Sequence, residues 1–178
     1  MIKQKFIIKE EDLLKNIKGN KLEKIYYTEP VFGKIKLDFS DYAIIISNEM
    51  HKKNLIGDYE DITYFTIDKV DKEYDFSHFE NDNTVKNINI NEKIISIKIV
   101  NDLINYNDEY EISYDEAIVF ITDEHDYIIS RDWFYMETME INIDKDIDDI
   151  LNKDTIKEQY RGEETNIKVD INRTNRDI

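Results

Sequence analysis

Apolar and polar residues alternate along much of this chain, which is the pattern of strands with one buried face. Ile35, Leu37 and Phe39 alternate with charged residues, and a turn then leads into the more continuously apolar segment 42–46. These two segments predict a β-hairpin. The same reasoning predicts further strands over 5–8, 24–32, 62–67, 88–100, 110–114, 117–122, 127–130, 133–143 and 167–171.

Helical periodicity is confined to two short segments. Leu14 and Ile17 lie on one face of a helix predicted over 10–18, and Gly19 follows where a helix C-terminus favours a positive φ. A second short helix is predicted over 146–152, where isoleucine and leucine recur at helical spacing. Helices this short need a sheet to pack against.

The remaining segments complete a single-domain α+β fold. Residues 68–87 are polar without a clear period and are expected to form a long loop or an insertion, and residues 101–107 are expected to form a turn. The predicted architecture is a mostly antiparallel twisted β-sheet of hairpins and a meander, with one or two short helices on a face. One globular domain is expected over 1–172, with a frayed C-terminal tail over 173–178.

The charge balance of the chain is strongly acidic. Its 178 residues include 40 Asp and Glu against 24 Lys and Arg, a formal net charge of −16. A field of this sign repels nucleic acid and anionic membranes and speeds encounter with a basic partner. The chain has no cysteine, which excludes disulfides and thiolate chemistry, and no apolar stretch of about 18 residues, the length of a membrane helix. These features predict a soluble cytoplasmic protein of a bacterium or phage.

Motifs of catalysis and of nucleic-acid binding are missing from the sequence. Its four glycines are scattered, so neither a phosphate-binding loop nor a GxSxG elbow is present. Catalysis by acid and base groups needs two carboxylates in a cleft, but with 40 acidic residues, pairs such as those at 109/111 and 115/116 occur by chance and do not indicate an active site. The four arginines are dispersed and form no basic stripe with aromatics. We therefore expect a protein that is not an enzyme, uses no cofactor and does not bind nucleic acid directly.

Calcium and transition-metal sites are also not expected. Segment 144–149 begins like an EF-hand loop, but Asp149 stands where that loop needs glycine and Thr155 stands at the twelfth position. Two histidines have acidic neighbours in sequence, His78 near Asp75 and His125 near Asp123, without a metal-binding spacing. These histidines are interpreted as solvated.

The most distinctive pattern of the chain is a set of clusters in which acidic residues are interleaved with tyrosine. Tyrosine is frequent at binding hot spots, while carboxylates attract a basic partner and pair with its Lys and Arg. We expect at least one of these clusters to bind a partner. The predicted binding residues are Asp58, Tyr59, Glu60, Asp61, Tyr74, Asp75, Glu109, Tyr110, Glu111, Tyr114, Asp115 and Glu116.

In its size, acidity, lack of cysteine and α+β pattern, the chain resembles the immunity proteins that bacteria keep beside their toxins. The segment from Tyr114 to Ile143 is similar to the core hairpins of such small acidic proteins. The resemblance implies a non-enzymatic inhibitor that binds and blocks a basic protein, such as a toxin nuclease.

Three other functions stay open at this point. A structural component of a phage or mobile element would use its acidity only to stay soluble. A phage anti-defence protein, acting as an anti-restriction or anti-CRISPR inhibitor, would imitate DNA with rows of carboxylates. A hydrolase would instead use a carboxylate pair in a cleft.

Overall fold

The computed structural model describes residues 1–76, 84–163 and 166–178, and β-strands account for most of them. The strands are β1 (Ile2–Phe6), β2 (Lys21–Thr28), β3 (Lys34–Asp38), β4 (Tyr42–Leu55), β5 (Asp58–Asp71), β6 (Val85–Tyr106), β7 (Tyr110–Thr122), β8 (Asp126–Arg131), β9 (Met139–Ile143) and β10 (Val169–Asp177). The helices are α1 (Glu11–Ile17), α2 (Ile147–Ile150) and α3 (Lys153–Arg161). The prediction of a mostly antiparallel sheet with short helices is confirmed.

Strand β6 links the two halves of the sheet by changing its partner along its length. Its first part pairs with β2, and from Ile94 onward it pairs with β7. Asn91, with a φ of 63°, interrupts the extended backbone close to this change. Strand β10 pairs antiparallel with the second part of β6, and β1 pairs parallel with β7. The main strand order is β5-β4-β3-β2-β6-β7-β8-β9.

Strand β7 is buried on both faces, which accounts for its continuous apolar run. Ile118 and Phe120 belong to one hydrophobic core, together with residues of β2, β3, β4 and α1. Ala117 and Val119 belong to a second core, together with residues of α3 and β10. Since successive side chains point to opposite faces of a strand, this alternation places β7 between the two cores.

Helix α1 forms where the sequence predicts it. Leu14 and Ile17 are fully buried in the first core. Gly19 has a φ of 85°, and its N–H donates to the carbonyl of Ile94 at 2.8 Å, which turns the chain into β2. None of the helices in the described part of the chain has the length and apolar character needed to span a membrane.

Several segments differ from the prediction. Only the last part of the strand predicted over 133–143 forms, because β9 begins at Met139, and the sequence pattern does not predict α3. The turn expected over 101–107 is wrong, because β6 continues to Tyr106. The polar segment 68–87 contains the end of β5 and the start of β6, and its residues 77–83 lie outside the described part of the chain. The tail expected to fray from Arg173 instead continues β10 to Asp177.

Candidate partner-binding cleft

The first predicted cluster, residues 58–61, lies at the start of β5 and not in a loop. Because side chains alternate along a strand, Asp58 and Glu60 project to one side and Tyr59 and Asp61 to the other. Asp58, which is exposed, and Glu60, which is half-buried, line a cleft, whereas Tyr59 and Asp61 are exposed and do not line it. The structure thus divides the four residues into a pair that lines the cleft and a pair that lies outside it.

This cleft, which we call the β5 cleft, has a volume of about 420 Å³. It lies among the start of β5, the end of β6, the segment before β9 and the end of α3. The lining residues that matter for its chemistry are Asp58, Glu60, Tyr106, Trp133, Tyr135 and Arg161. With Phe134 and Tyr160 also at its lining, the cleft combines two carboxylates, five aromatic residues and one guanidinium.

The aromatic wall of the β5 cleft is built by residues close in sequence. The ring centroids of Trp133 and Tyr135 lie 5.4 Å apart with an interplanar angle of 77°. Phe134, between them, is buried and packs against Tyr160 of α3 at a centroid distance of 4.8 Å. Burial of the middle ring fixes the two flanking rings at the cleft.

Hydrogen bonds attach this aromatic segment to β5. The Thr63 N–H donates to the Phe134 carbonyl at 2.8 Å, and the Thr63 hydroxyl donates to the Met136 carbonyl at 3.2 Å. On the same residue, the carbonyl of Thr63 accepts a hydrogen bond from the buried Tyr114 hydroxyl. The aromatic wall and the carboxylates are thus held together by one residue in the middle of β5.

The carboxylates of Asp58 and Glu60 have no ion pair within the described residues. Lys53 lies opposite Glu60 in the β4–β5 register, but its ammonium lies over the Tyr64 ring at 5.8 Å. Burial raises the pKa of the Tyr135 hydroxyl, and the charges of Glu60 and Asp58 raise it further. The cleft therefore has two carboxylates that no described cation neutralises through a direct ion pair.

Part of the second predicted cluster lies beside the β5 cleft. Gly57, in the β4–β5 turn, has a φ of 95°, and a Cβ atom at this position would lie 2.9 Å from the hydroxyl oxygen of Tyr110. The Tyr110 ring in turn meets the Tyr106 ring edge-on at 6.4 Å. Glu109 is exposed and Glu111 is half-buried. Two clusters distant in sequence therefore form one acidic–aromatic surface.

The rest of the second cluster is internal. Tyr114, Asp115 and Glu116 are 0%, 1% and 4% exposed, because they lie in β7 between the two cores. This corrects the expectation that they belong to an exposed partner-binding surface. A single sequence does not distinguish a buried, paired carboxylate from a solvated one.

Glu116 and Tyr114 hold a buried arginine. The guanidinium carbon of Arg131 lies 3.8 Å from the centroid of the Tyr114 ring, and Nη2 of Arg131 forms an ion pair with Glu116. Burial raises the pKa of the Glu116 carboxyl, and the neighbouring Arg131 guanidinium opposes that rise. An aromatic face and a carboxylate thus bind a guanidinium inside this protein.

Asp115 joins three parts of the chain. Its Oδ2 atom accepts a hydrogen bond from the Ile8 N–H at 2.8 Å, and its Oδ1 atom accepts one from the Asn101 amide at 2.8 Å. Arg176 lies 3.1 Å from Oδ2 and also pairs with Glu11 of α1. Asp115 therefore has a structural role in tying both chain termini to β7.

The third predicted cluster is separate from the β5 cleft. The Tyr74 carbonyl accepts a hydrogen bond from Lys36 at 3.3 Å, and Tyr74 lines a different pocket with Asp41 and Glu73. Asp75 is exposed. This cluster follows β5 and borders residues 77–83, which lie outside the described part of the chain.

Glu92, Glu124 and His125 each offer a metal-ligand atom within 4.8 Å of the others. Both oxygens of Glu92 already accept hydrogen bonds, from the hydroxyls of Thr122 and Tyr127. An ion at this place would compete with these two donors.

The acidic segment 144–149 has structural contacts. The Asp146 side chain caps α2 by accepting from the Asp148 N–H at 2.8 Å, and Asp148 pairs with Arg173 at 2.9 Å. His125 contacts Asp144, and not Asp123, through a 2.6 Å hydrogen bond at Nδ1. His78 lies outside the described residues.

Of the lining residues of the β5 cleft, only Asp58 and Glu60 are among the predicted binding residues; Tyr106, Trp133, Tyr135 and Arg161 are among those that are not. The run of three aromatics at 133–135 is the signal that the sequence offers for them. A strand buries alternate residues, so three consecutive large rings are not typical of one buried face. Their place beside Asp58 and Glu60 depends on long-range packing.

Comparison of this chain with protein families, with curated proteins and with solved structures finds no match.

Proposed function

We propose that this chain is a non-enzymatic inhibitor of the immunity-protein type, which binds a basic protein partner and blocks its activity. The acidic–aromatic surface around the β5 cleft is the proposed contact site, with Glu109 and Tyr110 at its border. A net charge of −16 accelerates encounter with a basic protein, and this acceleration weakens as salt rises.

The observation that carries the proposal is the contrast between two kinds of carboxylate. Asp102, Asp115 and Glu116 are buried, and each is neutralised by an arginine of the same chain. Asp58 and Glu60 line an aromatic cleft and have no ion pair among the described residues. The fold therefore neutralises these three internal acids with its own arginines and leaves Asp58 and Glu60 available to a cation from outside.

The aromatic lining supports a protein as the partner. Tyr and Trp are enriched at the centres of protein interfaces, where they supply contact area at low cost in conformational entropy. Glu109 is exposed beside Tyr110 and extends the surface beyond one side chain. Such a surface suits a basic protein whose arginine or lysine side chains bind to aromatic faces.

Affinity capture tests this proposal. The immobilised protein is exposed to lysate of its own organism at low and near-physiological salt, and the retained protein is identified, purified and assayed with and without this chain. One basic protein, retained at both salts in stoichiometric amount and losing its activity in the complex, is the expected result.

The control uses two double variants of β5. Asp58→Asn with Glu60→Gln removes the cleft charges, whereas Asp61→Asn with Asp68→Asn removes the same charge from exposed positions outside the cleft. Capture is expected to be lost only in the first variant. A diffuse set of proteins that dissociates as salt rises would contradict the proposal.

A further inference from the structure

We propose that the β5 cleft binds one arginine side chain of the partner, so that a guanidinium pairs with Asp58 and Glu60 and stacks on the aromatic wall. This inference rests on the proposed function, because it names the chemical group that the same surface recognises.

The two carboxylates are placed to share one planar cation. Asp58 and Glu60 are two residues apart on β5, so their side chains project to the same side of the strand and line the same cleft. A guanidinium presents five N–H donors in a fixed fork, which suits paired carboxylate oxygens better than the three rotating donors of an ammonium. This geometry favours arginine over lysine.

The aromatic wall adds a second reason for arginine. Trp133 and Tyr135 meet nearly at right angles, so a flat group that enters the cleft lies along one ring and against the edge of the other. Guanidinium groups stack on aromatic faces and are more weakly hydrated than ammonium groups, so they lose less on entering a partly apolar site.

The interior of the same protein contains the arrangement that we infer for the cleft. Arg131 lies over the face of Tyr114 and pairs with Glu116. The cleft offers the same two elements, aromatic rings and carboxylates, and the one guanidinium that lines it, that of Arg161, forms no ion pair with a described carboxylate. Its volume of about 420 Å³ is near the lower end of the roughly 300–1,000 Å³ typical of small-ligand pockets, which suits a single side chain.

Arg161 is the one cation among the described lining residues, and it forms no ion pair with a described carboxylate. Its charge opposes the entry of a second guanidinium. Removal of that charge by Arg161→Gln is therefore expected to strengthen binding of an arginine probe.

Trp133 makes the test direct, because it is the only tryptophan of the chain and lines the cleft. Its fluorescence is titrated with N-acetyl-arginine amide, and in parallel with the amides of N-acetyl-citrulline and N-acetyl-lysine at matched ionic strength. The arginine probe is expected to give a saturable change, with the citrulline probe at least about tenfold weaker because it lacks the charge-assisted hydrogen bonds. A flat response to arginine up to about 50 mM, or equal responses to arginine and either other probe, would overturn the inference.

Variants locate the binding. Asp58→Asn with Glu60→Gln is expected to weaken the arginine probe by about tenfold, Asp61→Asn with Asp68→Asn by less than about twofold, and Arg161→Gln to tighten it. Equal loss in the two double variants, or weaker binding in Arg161→Gln, would contradict the assignment. Unchanged thermal midpoints verify that the variants fold.

The two proposals fail separately. If a basic partner is captured but the Trp133 fluorescence does not respond to the arginine probe, the arginine site is refuted and the inhibitor function is not. If the Trp133 fluorescence responds specifically to the arginine probe but no partner is captured, the inhibitor function is refuted and the arginine site in the β5 cleft is not.

Discussion

Arg173 donates hydrogen bonds to both carboxylate oxygens of Asp102, from Nε at 2.8 Å and from Nη2 at 2.7 Å. Asp102 is fully buried in β6, and Arg173 lies in β10, the last strand. The remaining guanidinium nitrogen of Arg173 donates to the Leu151 carbonyl at 2.6 Å and to Asp148 at 2.9 Å. One side chain therefore joins the C-terminal strand to β6 and to the segment around α2.

Loss of this guanidinium is expected to destabilise the whole protein. Arg173→Met leaves the buried Asp102 carboxylate without a cation, which costs about 3–5 kcal/mol of unfolding free energy. Urea unfolding followed by circular dichroism measures the loss. Lys168→Met, which breaks a solvent-exposed ion pair with Asp108, is the control and should leave the midpoint nearly unchanged. An Arg173→Met variant as stable as the wild type would show that the pair has no stabilising role.

The C-terminal strand β10 extends further than the apolar alternation of the sequence predicts. The alternation of Ile167, Val169 and Ile171 predicts a strand, but Arg173 and Arg176 lack apolar neighbours to extend it. These two residues pair with β6 through the backbone and with Asp102 and Asp115 through their side chains, and all of these partners lie far away in sequence. Local periodicity reports burial of apolar side chains and carries no information about buried ion pairs.

The helices and the candidate site also combine features that local sequence predicts with features that depend on long-range contacts. The sequence pattern predicts that a helix ends at Asn152, whereas its side chain caps the start of α3 through the N–H groups of Asp154 and Thr155 at 2.9 and 3.2 Å. The alternation of acids and tyrosine over residues 58–61 is enough to predict Asp58 and Glu60 as binding residues, and the structure places both at the lining of the β5 cleft. That alternation does not predict Trp133, because the position of that ring beside them results from tertiary hydrogen bonds of Thr63.

The buried Arg131–Glu116 pair is expected to show strong energetic coupling. Arg131 uses one nitrogen for Glu116, while its Nε and Nη1 atoms are buried without a hydrogen-bond partner among the described residues. Arg131→Met alone leaves a buried carboxylate and is expected to cost about 3–5 kcal/mol. Adding Glu116→Leu removes that charge and should recover part of the loss, since well-packed apolar replacements of buried pairs are often neutral.

A double-mutant cycle measures this coupling. Urea unfolding free energies of the wild type, the two single variants and the Arg131→Met/Glu116→Leu variant give the interaction energy. Losses that simply add would mean that the two side chains contribute independently, contrary to the ion pair in the structure.

The His125–Asp144 contact predicts a pH-dependent contribution to stability. The hydrogen bond to Asp144 raises the pKa of His125, while the Asp126 N–H and then His125 lower the pKa of Asp144. A raised histidine pKa stabilises the folded state below the ordinary value near 6.5 and loses this effect as pH rises through the folded pKa. A lowered aspartate pKa stabilises above the ordinary value near 3.8 and loses the effect as pH falls through the folded pKa.

The stabilising effect of this contact is therefore largest between pH values of about 4 and 6.5. Asp144→Asn tests it with little backbone perturbation, because residue 144 has a φ of 52° that asparagine tolerates. NMR titration should show a lower His125 pKa in the variant, and the stability difference from wild type should shrink above the wild-type His125 pKa. An unchanged His125 titration would contradict the contact.

Close packing of Gly57 against Tyr110 is expected to make a side chain at position 57 more costly than one at Gly19. Gly57→Ala forces a left-handed φ on alanine, which costs about 1–2 kcal/mol, and places its methyl group 2.9 Å from the Tyr110 hydroxyl oxygen. Gly19→Ala is the matched control, since Gly19 has a similar φ of 85° and no atom lies within 4 Å of the methyl group that alanine would add there. Thermal unfolding should show a larger loss for Gly57→Ala, and Tyr110→Phe in that background should recover the difference by removing the hydroxyl. Equal losses of thermal stability at the two glycines would mean that Tyr110 does not pack closely against the β4–β5 turn. The two acidic–aromatic clusters would then not form one surface.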